Sequence, residues 1–122
     1  MKLDGSRSDV VTGSFFDEVP VGDAYVISHI IHDWEEASCL KILGHCKRAN
    51  PEAKVHLIEF VVPEGNEMLF AKLSDLVMLV HTEGGQERTE KEYADLFEKA
   101  GYRLGRIIPT ETPVSVIEAI PA

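Results

Sequence analysis

Apolar and polar positions follow two periods along this chain, and each apolar block ends on recognisable punctuation. Ala24 to Ile31 is apolar on both alternating faces apart from Ser28 and His29. This predicts a strand covered on both sides, as in a parallel sheet. The run stops at His32-Asp33-Trp34, and a histidine at the carboxyl end of a buried strand sits where open α/β sheets place their ligands. Asp33 with Glu36 has the spacing of a helix N-cap and its capping-box partner. Cys39, Leu40, Ile42, Leu43 and Cys46 then form a 3.6-period stripe that Asn50-Pro51 ends.

Lys54 to Val62 reads as a second buried strand, in which Glu59 is out of place because a carboxylate there needs a partner. Pro63-Glu64-Gly65-Asn66 marks a turn. Residues 67–81 carry Leu69, Leu73, Leu76 and Val80 at helical spacing, widened by Phe70, Val77 and Leu79, and length favours a helix with a core-facing stripe. A loop over 82–88 leads to a second capping box, Thr89 with Glu92, ahead of a helix burying Tyr93, Leu96, Phe97 and Ala100. Gly101 suits the left-handed residue past its end. Tyr102–Ile108 and Pro113–Ile120 are two strands joined by a turn too short for a crossover, so they should be antiparallel neighbours. Asp9 to Gly13 could add a short strand, and residues 1–8 read as a flexible N-terminus. The pattern predicts an α/β layered domain whose sheet is mostly parallel with an antiparallel final strand.

Composition narrows the function classes. The 122 residues suffice for one domain, and a net charge of -9 argues against nucleic acid or an anionic membrane as partner. No apolar run approaches the roughly 20 residues of a membrane span. Cys39 and Cys46 fall about 10 Å apart on one helix, beyond disulfide reach. They read as core thiols of a cytoplasmic protein. His29 and His32, three apart on an apparent strand, should point to opposite faces, so no metal is expected. His45 and His56 read as surface or packing residues.

Ile30-Ile31-His32-Asp33-Trp34, Gly13-Ser14-Phe15-Phe16, the strand with Glu59, Asp75-Leu76-Val77-Met78-Leu79 and Gly84-Gly85-Gln86-Glu87-Arg88-Thr89 occur in a telling order and spacing. With them the chain, from about Asp9 to Ala122, resembles the C-terminal part of the catalytic domain of S-adenosylmethionine-dependent O-methyltransferases. The type is that of the plant caffeic-acid and acetylserotonin enzymes and their bacterial relatives. The resemblance implies the C-terminal half of a Rossmann-like class I methyltransferase sheet over residues 9–122. It also implies methyl transfer from S-adenosylmethionine to a hydroxyl of a small aromatic acceptor.

By that resemblance His32 matches the general base, and Glu59 and Glu87 match the two acidic residues that hold its ring. Ser14 (where the family usually carries an aspartate) and Phe15 match cofactor contacts, and Asp75 and Met78 match the acceptor pocket. Ser28 is read as a further cofactor contact, and Trp34 as either bordering the cofactor or packing in the core. No glycine-rich cofactor loop follows a first strand in these residues, so the chain alone is expected to bind the cofactor weakly or not at all. The Ala24–Ile31 strand would then lie at a hydrophobic sheet edge, which natural proteins seldom leave open. A second copy, the 9–13 segment or another chain is expected to cover it. A homodimer through that edge, or a non-catalytic partner-binding module retaining the core, is the alternative reading.

Overall fold

The computed structural model describes residues 8–63, 70–82 and 84–122. Four strands form the main sheet in the order β1 (Ala24–Ser28), β2 (Lys54–Glu59), β6 (Ser115–Pro121), β5 (Tyr102–Pro109). β1 and β2 are parallel, whereas β6 runs antiparallel to both β2 and β5. Three strands therefore share one direction and the final strand alone opposes them, as the short 110–114 connection requires. A second, two-stranded ladder pairs β3 (Val61–Val62) in parallel with β4 (Arg88–Thr89).

Three helices follow the apolar stripes: α1 (Glu36–Ala49), α2 (Phe70–His81) and α3 (Glu90–Lys99). The core lies where α1 and α3 meet the sheet, with Cys39, Ile42, Leu43 and Cys46 against Val55, Leu57, Ile117 and Ala119, and Tyr93, Leu96 and Phe97 alongside. The Val, Leu, Ile and Phe side chains among these each contribute about 1.5–3 kcal/mol on leaving water. Both cysteines are free and buried, and burial pushes the Cys46 thiol up to about 11. Thr89 caps α3 through the expected capping box with Glu92, and Gly101 takes φ +87° just beyond it. No helix of the described residues is long and apolar enough to cross a membrane.

Several expectations are corrected. β1 ends at Ser28 instead of Ile31, because its last ladder bond is His29 N–H to the Ile58 carbonyl (3.1 Å) and His29 then turns left-handed at φ 53°. It lies at the sheet edge as expected, but it is not covered on both faces: Ala24, Val26 and Ser28 are exposed, Val26 by 67%. Asp9 to Gly13 forms no strand. The 54–62 run breaks at Phe60, where the chain leaves β2, already paired with β6, to meet β4. Glu35, not Asp33, is the N-cap of α1, since Ile31–Asp33 form a separate 3-10 turn. The α2 stripe does not face the core, with Leu73, Leu76, Val77 and Val80 48–78% exposed. The 1–8 segment (except Ser8), the turn at Glu64–Asn66, Leu69 and the side chains of Phe70 and Leu79 lie outside the described residues.

Candidate active site

His32 is built into the chain by backbone before its side chain makes any contact. The 3-10 turn follows the left-handed His29 and buries Ile31 and His32, the latter 8% exposed. The Ile31 N–H donates to Glu59 Oε1 (3.1 Å), so the end of β2 fixes the start of the turn. The Ile31 carbonyl accepts from the Cys39 thiol (3.2 Å) and from Arg88 Nη1 (3.2 Å).

Around the ring stand three carboxylates. Glu87 Oε1 lies 2.6 Å from Nδ1, Glu59 Oε2 lies 3.6 Å from the same nitrogen, and Asp33 Oδ1 lies 3.2 Å from Nε2. The hydrogen bond to Glu87 raises the His32 pKa above its usual 6.5, assisted by the charges of Glu59, Glu87 and Asp33 and opposed by burial. Burial pushes Glu59 up to about 7, against the pull of the nearby imidazole. Its Oε2 and the Oε2 of Glu87 are buried without a hydrogen-bond partner. A carboxylate on Nδ1 fixes the tautomer and makes Nε2 the basic nitrogen.

The loop carrying Glu87 is fitted to the turn carrying His32. A Cβ on Gly85 would stand 2.6 Å from the His32 carbonyl and 2.1 Å from Thr82 Oγ1, so only glycine permits this approach. Asp75 accepts from the Glu87 N–H (2.9 Å), and Ser74 Oγ donates to Glu87 Oε1 (2.7 Å). Asp75 therefore orients Glu87, and Met78, on the same helix, is half-buried with its carbonyl accepting from Thr82.

The remaining expected residues gather on the β1 side. Ser14 Oγ accepts from the Phe16 N–H in an exposed turn. Phe15 meets Phe16 at a tilt of 54° with ring centroids 4.9 Å apart, and Phe16 meets Trp34 edge-on at 4.7 Å. Phe15 and Ser28 line one apolar groove of about 330 Å³ with Tyr25, Ile27 and Ile30, while Ser14 and Phe15 line a neighbouring hollow of about 480 Å³. Aromatic and apolar walls with a few hydroxyls suit one side of an adenine ring. No carboxylate among the residues lining that groove is available to grip a ribose.

The site contacts of Ser74, Arg88 and Cys39 go beyond the sequence reading, in which Cys39 is a core thiol, Arg88 a member of the Gly84–Thr89 motif and Ser74 unmarked. His29 was misplaced. Its left-handed backbone brings its ring to 5.5 Å from that of His32 instead of to the opposite face. His29, His32 and Glu59 thus offer ligand-type atoms within 4.8 Å of one another. Both ring nitrogens of His32 also face carboxylates, Glu87 at Nδ1 and Asp33 at Nε2.

A family model described as "O-methyltransferase domain" matches residues 3–103. The phenazine O-methyltransferase PhzM of Lysobacter antibioticus is 44% identical over 119 residues, covering 96% of this chain and 35% of that protein. A caffeic acid 3-O-methyltransferase of Catharanthus roseus is 44% identical over 100 residues, covering 78% of this chain and 28% of that protein. Among solved structures, CalO1, a methyltransferase of calicheamicin biosynthesis with S-adenosylhomocysteine bound, superposes with a TM-score of 0.88 at 38% identity, covering 97% of this chain and 35% of that one. The chain spans about a third of the length of these relatives. It belongs to the O-methyltransferase domain family.

Proposed function

We propose that this chain supplies the proton-accepting half of an S-adenosylmethionine-dependent O-methyltransferase, acting on a hydroxyl of a small aromatic acceptor. The observation that carries this reading is the buried His32 imidazole held at 2.6 Å by Glu87. When bound, the cofactor supplies an electrophilic methyl group. His32 Nε2 takes the hydroxyl proton as the acceptor oxygen attacks, and the imidazolium is stabilised by Glu87 on Nδ1 and Asp33 beside Nε2. Glu59 adds negative charge behind the ring and holds the Ile31 N–H. Phe15, Ser14, Ser28 and Trp34 are the residues proposed to border the cofactor. Met78 borders the acceptor, and Asp75 serves it through Glu87. Metal is not needed for this chemistry, and two free, buried cysteines fit a cytoplasmic setting.

The test replaces the matching segment of the Lysobacter phenazine enzyme with residues 8–122 and measures kcat. The chimera should transfer methyl groups, and His32→Ala should lower kcat by about 10²–10⁴-fold with KM little changed. A His32→Ala chimera within a few-fold of its parent would reduce the site to positioning alone. Residues 8–122 by themselves hold one side of the proposed cofactor site. Calorimetric titration with S-adenosylhomocysteine should therefore give no submillimolar binding, whereas the chimera binds.

A second reading is favoured by the open edge of β1, where Val26 is 67% exposed. On it, the chain is a non-catalytic module that dimerises or captures a partner through that edge.

A further inference from the structure

Arg88 is 2% exposed, and no ion pair ties it to a carboxylate among the described residues. A buried guanidinium without a direct counter-ion is costly unless its donors are spent elsewhere. Nη1 donates to the carbonyls of Ile31 (3.2 Å) and Gln86 (3.3 Å), and Nη2 to the Trp34 carbonyl (3.4 Å) and the Cys39 sulfur (3.7 Å). Ile31 and Trp34 bracket His32 and Asp33 in the chain. Gln86 and Arg88 bracket Glu87, whose carboxylate meets the His32 ring.

We propose that Arg88 is the positioning residue of this site, a rigid fork that clamps the turn bearing His32 to the loop bearing Glu87. The proposal rests on the reading of His32 as the proton acceptor. The geometry needs a planar donor set, because the same side chain must reach carbonyls on both segments at once. An ammonium can donate in three directions but has no fixed plane to hold two backbones apart. Glu59 works from the other side, since its Oε1 takes the Ile31 N–H while Arg88 takes the Ile31 carbonyl. The two peptide links that flank the Ile31 Cα are thus each pinned, one from either side. The groups facing the His32 ring are Glu87, Glu59 and Asp33, with the His29 ring 5.5 Å away, and Arg88 touches none of them through its side chain. Its influence on the ring runs through backbone geometry.

The readout is the proton between His32 Nδ1 and Glu87, observed by NMR on the chain itself. A short charge-assisted bond gives a far-downfield, slowly exchanging ring N–H signal, assigned by its disappearance in His32→Asn. Arg88→Lys and Arg88→Met should each lose that signal while far-UV circular dichroism and a cooperative melt persist. Retention of the signal in Arg88→Met would overturn the proposal, because the side chain would then only fill space. Where a variant does not fold, the unmodified chain decides. A clamped guanidinium gives separately resolved Nη proton signals from hindered rotation, and a single averaged Nη signal overturns the proposal. None of these readouts uses methyl transfer, so the proposal can fail while the chimera retains its His32-dependent activity, and the reverse.

Discussion

Glu59 and His32 both bind protons more tightly in the folded chain than in the unfolded one. Burial lifts the Glu59 carboxyl from 4.5 to about 7, and the Glu87 hydrogen bond lifts His32 above 6.5. For both groups the stabilising contribution is complete at low pH. It is lost as pH rises, from about 4.5 through about 7 for Glu59 and through the raised His32 value for the imidazole. The chain should therefore lose roughly 1–3 kcal/mol between pH 5 and 8, read from thermal melts across that range. Glu59→Gln keeps a carbonyl oxygen for the Ile31 N–H and removes the carboxyl, so its melts should depend less on pH. An unchanged slope would place the titration elsewhere. Glu59 was legible as an anomaly, a carboxylate inside an apolar strand. His29 was not, because its position depends on a single left-handed residue. Arg88 looks like any loop arginine until the turn it holds is seen.

Secondary-structure elements were most legible where side chain and backbone signals coincide locally. Thr89 and Glu92 form their capping box as spaced, and the α1 stripe buries the expected Cys39, Ile42, Leu43 and Cys46. Asp33 and Glu36 have the same spacing, yet a 3-10 turn intervenes and Asp33 turns to the His32 ring instead. Tertiary contact outweighed a capping preference worth about 1 kcal/mol. The α2 stripe misled for a related reason: helical periodicity marks an apolar face without saying what that face meets. The Gly84–Glu87 loop is the element most sensitive to change. Gly85→Ala must displace either Thr82 or the His32 backbone, at a cost of about 1–3 kcal/mol. Its melting temperature should fall by several degrees, and the downfield His32–Glu87 proton signal should weaken with it. An alanine variant as stable as the parent, with the signal intact, would mean the loop has more room than the geometry allows.

At the scale of the whole molecule the open side of β1 dominates. Strand order leaves it paired with β2 alone, and an unpaired edge is a template for further pairing. If a second copy covers it, light scattering should give a dimer with slow amide exchange along residues 24–28. A monomer with rapid exchange there removes the dimer reading and leaves the edge to the rest of a longer methyltransferase. The contacts that make the site are long in sequence. His32 meets Glu87 across 55 positions, and Ile31 meets Glu59 across 28. Doubling a loop adds only about 0.6 kcal/mol of closure entropy, a slight bias towards closing the shorter loop first. β2 can dock beside β1 and fix the turn before the Glu87 loop arrives, so a chain paused at that stage holds a histidine whose ring has no carboxylate on Nδ1 but Glu59. The His32–Glu87 bond is thus a reporter of complete folding, because it joins segments 55 positions apart and needs both in place.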